Sequence, residues 1–147
     1  MTKQEFLAIS LPFHLKVLVD TSHWFEKREP FIAELEGVFN FESYTVKYLD
    51  KSGASYTDNG MRFKPILHPL SSLTKWIEHR GEKIIPLLEL KWNRTINGFT
   101  KSNIDAAMLS LSLKDAINLI EWHFDIAGLI EKGEAIDVNT LKENPYK

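Results

Sequence analysis

Apolar residues recur at two different spacings in this chain, and the change from one spacing to the other limits the fold more than any other feature. In His14 to Asp20, Leu15, Val17 and Val19 alternate with His14, Lys16 and Leu18. Successive side chains of extended backbone point to opposite faces, so this spacing with β-branched residues predicts a strand. Phe39, Phe41, Tyr44, Val46 and Tyr48 carry the same preference through Val38 to Leu49. Phe31 to Glu36 fits either a helix after Pro30 or a short strand turning at Gly37. Asp50 to Ser55 reads as a hairpin loop, and Asp58-Asn59-Gly60 as a second turn, because Asn and Gly tolerate positive φ. Met61 to Leu67 then reads as another strand, with Pro65 placing it at an edge or ending it early.

Helical spacing appears at both ends. Thr2 and Glu5 form a capping-box pattern that opens a short helix from Lys3 to Ile9, and Pro12 prevents its continuation. Ser71 or Ser72 can cap a helix with Leu73, Trp76 and Ile77 on its apolar side. Lys83 to Trp92, interrupted by Pro86, reads as a short strand followed by a helical turn. Leu113, Ala116, Ile117, Ile120, Phe124 and Ala127 then recur at i, i+3, i+4, with Ser112 and Asp115 at the start. Leu119, Trp122, Ile126 and Ile130 widen that face, Gly128 interrupts it and Gly133 is a natural stop. Strands first and a long helix last predict an α+β fold rather than α/β. The expectation is one domain over residues 1–147, with an antiparallel sheet of three to five strands in the first two-thirds. A long C-terminal helix packs across it, and 139–147 form a surface tail.

The 147 residues include no Cys, which excludes disulfides, thiolate metal sites and cysteine nucleophiles. With 44% apolar residues, the chain folds on its hydrophobic core alone. The opening MTKQEFLAISLP lacks the pattern of a secretory signal, and no apolar run is long enough to span a membrane. A cytoplasmic location is the resulting expectation, with no membrane partner.

The net charge of −2 conceals a polarity along the chain. Residues 61–101 carry 8 basic and 3 acidic side chains, whereas both flanks are acidic. Arg62, Lys64, Lys75, Arg80, Lys83, Lys91, Arg94 and Lys101 therefore form a candidate nucleic-acid-binding set, accompanied by Trp76 and Trp92. The same cations could instead face the acidic flanks. The aromatic surplus offers a different surface. Phe39, Phe41, Tyr44 and Tyr48 supply more large rings than one sheet face needs, which makes them a candidate surface for a protein partner or self-association.

Catalytic signatures are missing. No Walker loop, dinucleotide fingerprint, H-E-x-x-H or G-x-S-x-G occurs, and the seven Gly never cluster. Of the five His, His123 lies between Glu121 and Asp125. On a continuous helix it sits about 200° round from Glu121, so the three do not converge, and His123 reads as a surface residue near the apolar border. His23 and Glu26 converge only if their stretch is helical. His68 reads as a turn support, His79 as a residue near a helix C-terminus and His14 as the start of a strand. No catalytic residue, metal ligand or cofactor is expected.

Lys64 to Leu90 (KPILHPLSSLTKWIEHRGEKIIPLLEL), Leu119 to Thr140 (LIEWHFDIAGLIEKGEAIDVNT) and the opening MTKQEFLAISLP together resemble small uncharacterised proteins encoded by phages and prophages of gut bacteria. Phe25 to Gly60 contributes nothing to the likeness. The resemblance implies an accessory protein of a mobile element in a bacterial cytoplasm, and it carries no functional residue with it. The leading expectation is a non-enzymatic protein-binding module, and the alternative is nucleic-acid binding through 62–101.

Overall fold

The computed structural model describes residues 1–22, 24, 29–39, 45–59, 62–92 and 97–147; the side chains of Phe39, Thr45 and Val46 are also outside the description. The strands are β1 (Lys16–Val19), β2 (Phe31–Phe39), β3 (Thr45–Leu49), β4 (Ser55–Asn59), β5 (Phe63–Leu67), β6 (Ile77–His79), β7 (Glu82–Ile84) and β8 (Ile136–Asp137). The helices are α1 (Lys3–Ile9), α2 (Pro86–Glu89), α3 (Lys101–Leu109) and α4 (Leu113–Glu121).

Alternation along β1 works as the spacing predicts: Val17 and Val19 are fully buried, while Lys16 and Leu18 are half-buried. The ambiguous stretch after Pro30 is strand, and β2 runs past Gly37 with a register irregularity between Leu35 and Gly37. Asp50 closes the β3–β4 hairpin by accepting from the Ser52 and Ala54 N–H groups at 2.9 and 3.0 Å. The capping box is present at α1, with Glu5 N–H donating to Thr2 Oγ1 and Thr2 N–H to Glu5 Oε2, both at 3.1 Å. Phe6 and Leu7 of this helix are fully buried in the core that the sheet's Val17, Val19, Ala33, Leu35, Tyr48, Phe63 and Ile66 line.

The expected architecture needs two corrections. Among the described residues the main sheet has six strands in the order β4-β3-β2-β1-β5-β8 and is mixed, because β5 and β8 run parallel through Ile66–Ile136 and Leu67–Asp137. A two-residue strand is too short to register as a periodicity, so β8 had no signature. Its presence makes β5 an inner strand despite Pro65. Asp20 N–H donates to Arg62 O at 2.8 Å, and alternation from there turns the N side of Pro65 away from β1. β8 pairs only from Ile66 onward, so the missing donor of Pro65 breaks no ladder bond.

The second correction removes the long C-terminal helix. α3 and α4 have nine residues each, and α4 ends at Glu121 in the middle of the apolar stripe. The stop is a Schellman motif with histidine where glycine is usual. His123 N–H donates to Ile120 O at 3.0 Å, Phe124 N–H donates to Leu119 O at 2.9 Å, and His123 takes φ +61°. Beyond it the chain is extended and joins the end of β5: His68 N–H donates to His123 O at 2.8 Å, and Asp125 N–H to His68 O at 2.9 Å. Gly128 has φ +70° and nothing within 4 Å of an added Cβ, so conformation rather than close approach accounts for it.

Residues 70–76 differ as well. Leu70–Thr74 is one 3-10 turn rather than a helix reaching Ile77, and Trp76 is 67% exposed instead of packed. Lys83 to Trp92 folds as its pattern predicts, with β7 followed by α2.

Candidate functional site

The stripe on α4 is apolar over a wider arc than the core uses. Leu119 is buried with Leu73, Ile77, Leu90, Ile104 and Phe124 in a second core, which Ile126 joins to the sheet core, and Ile120 is buried as well. Leu113 and Ile117, expected among the buried positions, are 78% and 44% exposed. They share one side of α4 by their i, i+4 spacing. Leu109, at the end of α3 across a three-residue turn, is 91% exposed. It also lines a groove of about 890 Å³ between α3, the 70–74 turn and residues 125–131. Leu70, Phe99, Ile104, Met108 and Ile126 form the apolar lining, and Lys101, Asp105 and Glu131 bring both signs of charge to it.

Asp125 holds one wall of this groove. Its buried carboxylate accepts from Leu129 N–H at 2.8 Å and Ile130 N–H at 2.9 Å. Asp125→Ala leaves both donors without a partner and is expected to lower unfolding free energy by ~1–3 kcal/mol, measured as a shift of the urea midpoint.

On another part of the fold, three histidines and a tyrosine meet. The ring of His123 stacks on Tyr146 at 3.8 Å between centroids and 14° between planes. His79 lies 5.6 Å from His123, and His68 lies 6.2 Å from Tyr146. His123 Nε2 is 2.7 Å from Phe13 O, and a carbonyl only accepts, so Nε2 carries the ring proton. Among the described residues neither Nδ1 of His123 nor Nε2 of His79, both buried, has a hydrogen-bond partner. Burial pushes His123 down to about 3 and His68 down to about 4. It also lowers His79, and neighbouring positive charge from Arg80 adds to the effect. His123 and His68 are therefore neutral at pH 7.

Tyr146 belongs to the segment read as a surface tail, yet it is only 7% exposed. The β1–β5 register that pairs Val17 with Pro65 sets Lys16 opposite Ile66. There Tyr146 Oη accepts from Lys16 N–H at 3.0 Å and donates to Ile66 O at 2.6 Å. Burial raises the Tyr146 pKa well above its ordinary value, which keeps the hydroxyl a donor.

The histidines occupy other places than their local sequence implies. His123 is 2% exposed, not at the surface, because the helix on which that reading depended stops before it. His79 is in strand β6, not near a helix end, and His68 is buried in an isolated bridge to Phe124. His14 precedes β1 with φ +56° and lies 3.5 Å from Glu34. His23 and Glu26 lie outside the described residues. Among the described residues no group of three His, Asp or Glu is placed to hold a metal ion.

The basic set is spread over several elements. Arg62 is 3.9 Å from Asp20, Arg80 is 3.9 Å from Glu121, and Lys83 sits opposite Glu78 in the β6–β7 register. Lys64 is exposed on β5, Lys75 and Lys91 are exposed in connections, and Lys101 opens α3 at the groove. Arg94 lies outside the described residues. Of the candidate aromatic surface, Tyr48 is 2% exposed, with its ring 5.2 Å from Phe63 and 5.6 Å from Tyr56. Phe41 and Tyr44 lie outside the described residues, and only the backbone of Phe39 is described, opposite Thr45. Tyr56, at 49% exposure, is the outer ring of the Tyr48 pair. The sequence did contain the signal for Leu113 and Ile117, since their helix is apolar on more sides than one contact can cover.

No protein-family model, curated protein or solved structure matches this chain. Among the described residues no helix is long and apolar enough to cross a membrane.

Proposed function

We propose that this protein is a non-enzymatic protein-binding module whose partner docks on the α3–α4 face and the adjoining groove. The supporting observation is the exposure of Leu109, Leu113 and Ile117, of which Leu109 lines the apolar groove. Large aliphatic side chains left in water gain ~1.5–3 kcal/mol each when a partner covers them fully. The likeness to phage- and prophage-encoded proteins motivates placing the module as an accessory protein in a bacterial cytoplasm.

Affinity capture from bacterial lysate, run with and without nuclease, tests the reading by comparing the wild type with the Leu109→Glu/Leu113→Glu double variant. A partner held by this face is expected to survive nuclease and to bind the double variant at least ~10-fold more weakly. Both leucines are exposed, so the double variant is expected to melt within about 2 °C of the wild type. Sedimentation of the two forms shows whether the partner is a second copy. Equal capture by both forms removes the proposal. Capture that disappears with nuclease transfers support to the basic segment 62–101 and a nucleic acid.

A further inference from the structure

We propose that Tyr146 is the bolt of an acid-opened latch: when His123 and His68 take up protons, residues 141–147 leave the gap between β1 and β5. The geometry carries the argument. Tyr146 reaches three places at once, with its hydroxyl bridging Lys16 N–H and Ile66 O, its ring stacked on His123, and its carbonyl accepting from Arg80 N–H at 3.4 Å. The bolt can withdraw without breaking any strand, because the hydroxyl bridges Lys16 and Ile66 beyond the last β1–β5 pair.

The nitrogen left to accept a proton on His123 is Nδ1, which is buried and has no partner among the described residues. A charge there faces His79, His68 and Arg80. Carboxylates near the cluster are committed to other groups or face other rings. Glu121 and Glu82 face His79, Glu121 lies 3.9 Å from Arg80, and Asp137 faces His68. Protonation in the closed form therefore creates unbalanced positive charge under Tyr146, and opening relieves it by admitting water. Opening that exposes one of these histidines is favoured ~10-fold for each pH unit below about 6.5, and opening that exposes both by ~100-fold.

Amide hydrogen exchange between pH 7.5 and 5.0, corrected for the intrinsic pH dependence of exchange, reads the latch directly. The Lys16 and Arg80 amides report on Tyr146, and the Leu35 amide, bonded to Leu15 O at 2.8 Å, reports on the sheet. Protection at Lys16 and Arg80 is expected to fall at least ~10-fold per unit below pH 6.5 and to stay below that of Leu35, which exchanges only when the sheet itself opens. The companion variant is His123→Asn, since asparagine tolerates the left-handed backbone at this position. Its slope is expected to be ~10-fold per unit shallower than the wild-type slope. Constant protection at Lys16 and Arg80 overturns the latch, as does protection there equal to that of Leu35 at every pH. An unchanged slope in His123→Asn removes His123 from it.

Discussion

Replacing Tyr146 by alanine is expected to lower the unfolding free energy by ~3–5 kcal/mol, the range for deleting a large buried aromatic side chain. The size of the effect comes from three losses at one position. The ring leaves a void between His123 and His68. The Lys16 N–H and Ile66 C=O lose the hydroxyl that joins them. The β6–β7 turn loses the packed neighbour to which Arg80 N–H is bonded. Tyr146→Phe separates these contributions, because it keeps the ring and deletes only the bridge. Its expected cost is ~1–3 kcal/mol, the range for leaving a buried backbone group unsatisfied. Urea denaturation of the three proteins measures both effects. A midpoint for Tyr146→Phe equal to that of the wild type shows that Lys16 and Ile66 close the ladder without the hydroxyl.

Acid is expected to destabilise the whole fold over a window that the buried histidines define. The folded state holds His123 down to about 3 and His68 down to about 4, whereas the unfolded chain titrates each at about 6.5. Below pH 6.5 the unfolded state binds protons that the folded state refuses, so stability falls with pH. Each histidine contributes a loss of ~1.4 kcal/mol per pH unit until its folded-state value is reached, where its contribution levels off. Above about pH 7 both are neutral in either state and contribute no slope. Urea midpoints at pH 7.5, 6.5, 5.5 and 4.5 check the sign and the window. The double variant His68→Gln/His123→Asn is expected to flatten the curve between 6.5 and 4.5, and an unaltered curve assigns the acid sensitivity to other groups.

The parts of the fold legible in sequence are those set by neighbours in the chain. Alternation located β1, turn chemistry located the β3–β4 hairpin, and the Thr2–Glu5 pair located the start of α1. Ser112 caps α4 as its spacing implies, accepting from Asp115 N–H at 3.1 Å. Asp115 also accepts from Trp92 Nε1 at 3.0 Å, a contact that no local pattern contains. The end of α4 was illegible for a specific reason. Glycine at C′ is a visible stop, whereas His123 takes the left-handed conformation with its side chain held by Phe13 O and the Tyr146 ring, contacts distant in the sequence. The apolar stripe therefore continues in the sequence where the helix does not. The candidate site was half legible: a face too wide for one contact is visible in the spacing, but which edge stays in water is not.

By itself the amino-acid sequence determined the α+β class, the absence of cross-links, the spacing of β1 and the starts of α1 and α4. Each of these follows from backbone preferences and burial patterns acting over a few residues. Only tertiary structure decided the mixed sixth strand, the shortened α4, the exposure of Leu109 and Leu113, and the meeting of His68, His79, His123 and Tyr146. Those features depend on contacts between residues as far apart in the chain as Lys16 and Tyr146, whose energies appear only once the chain has closed on itself.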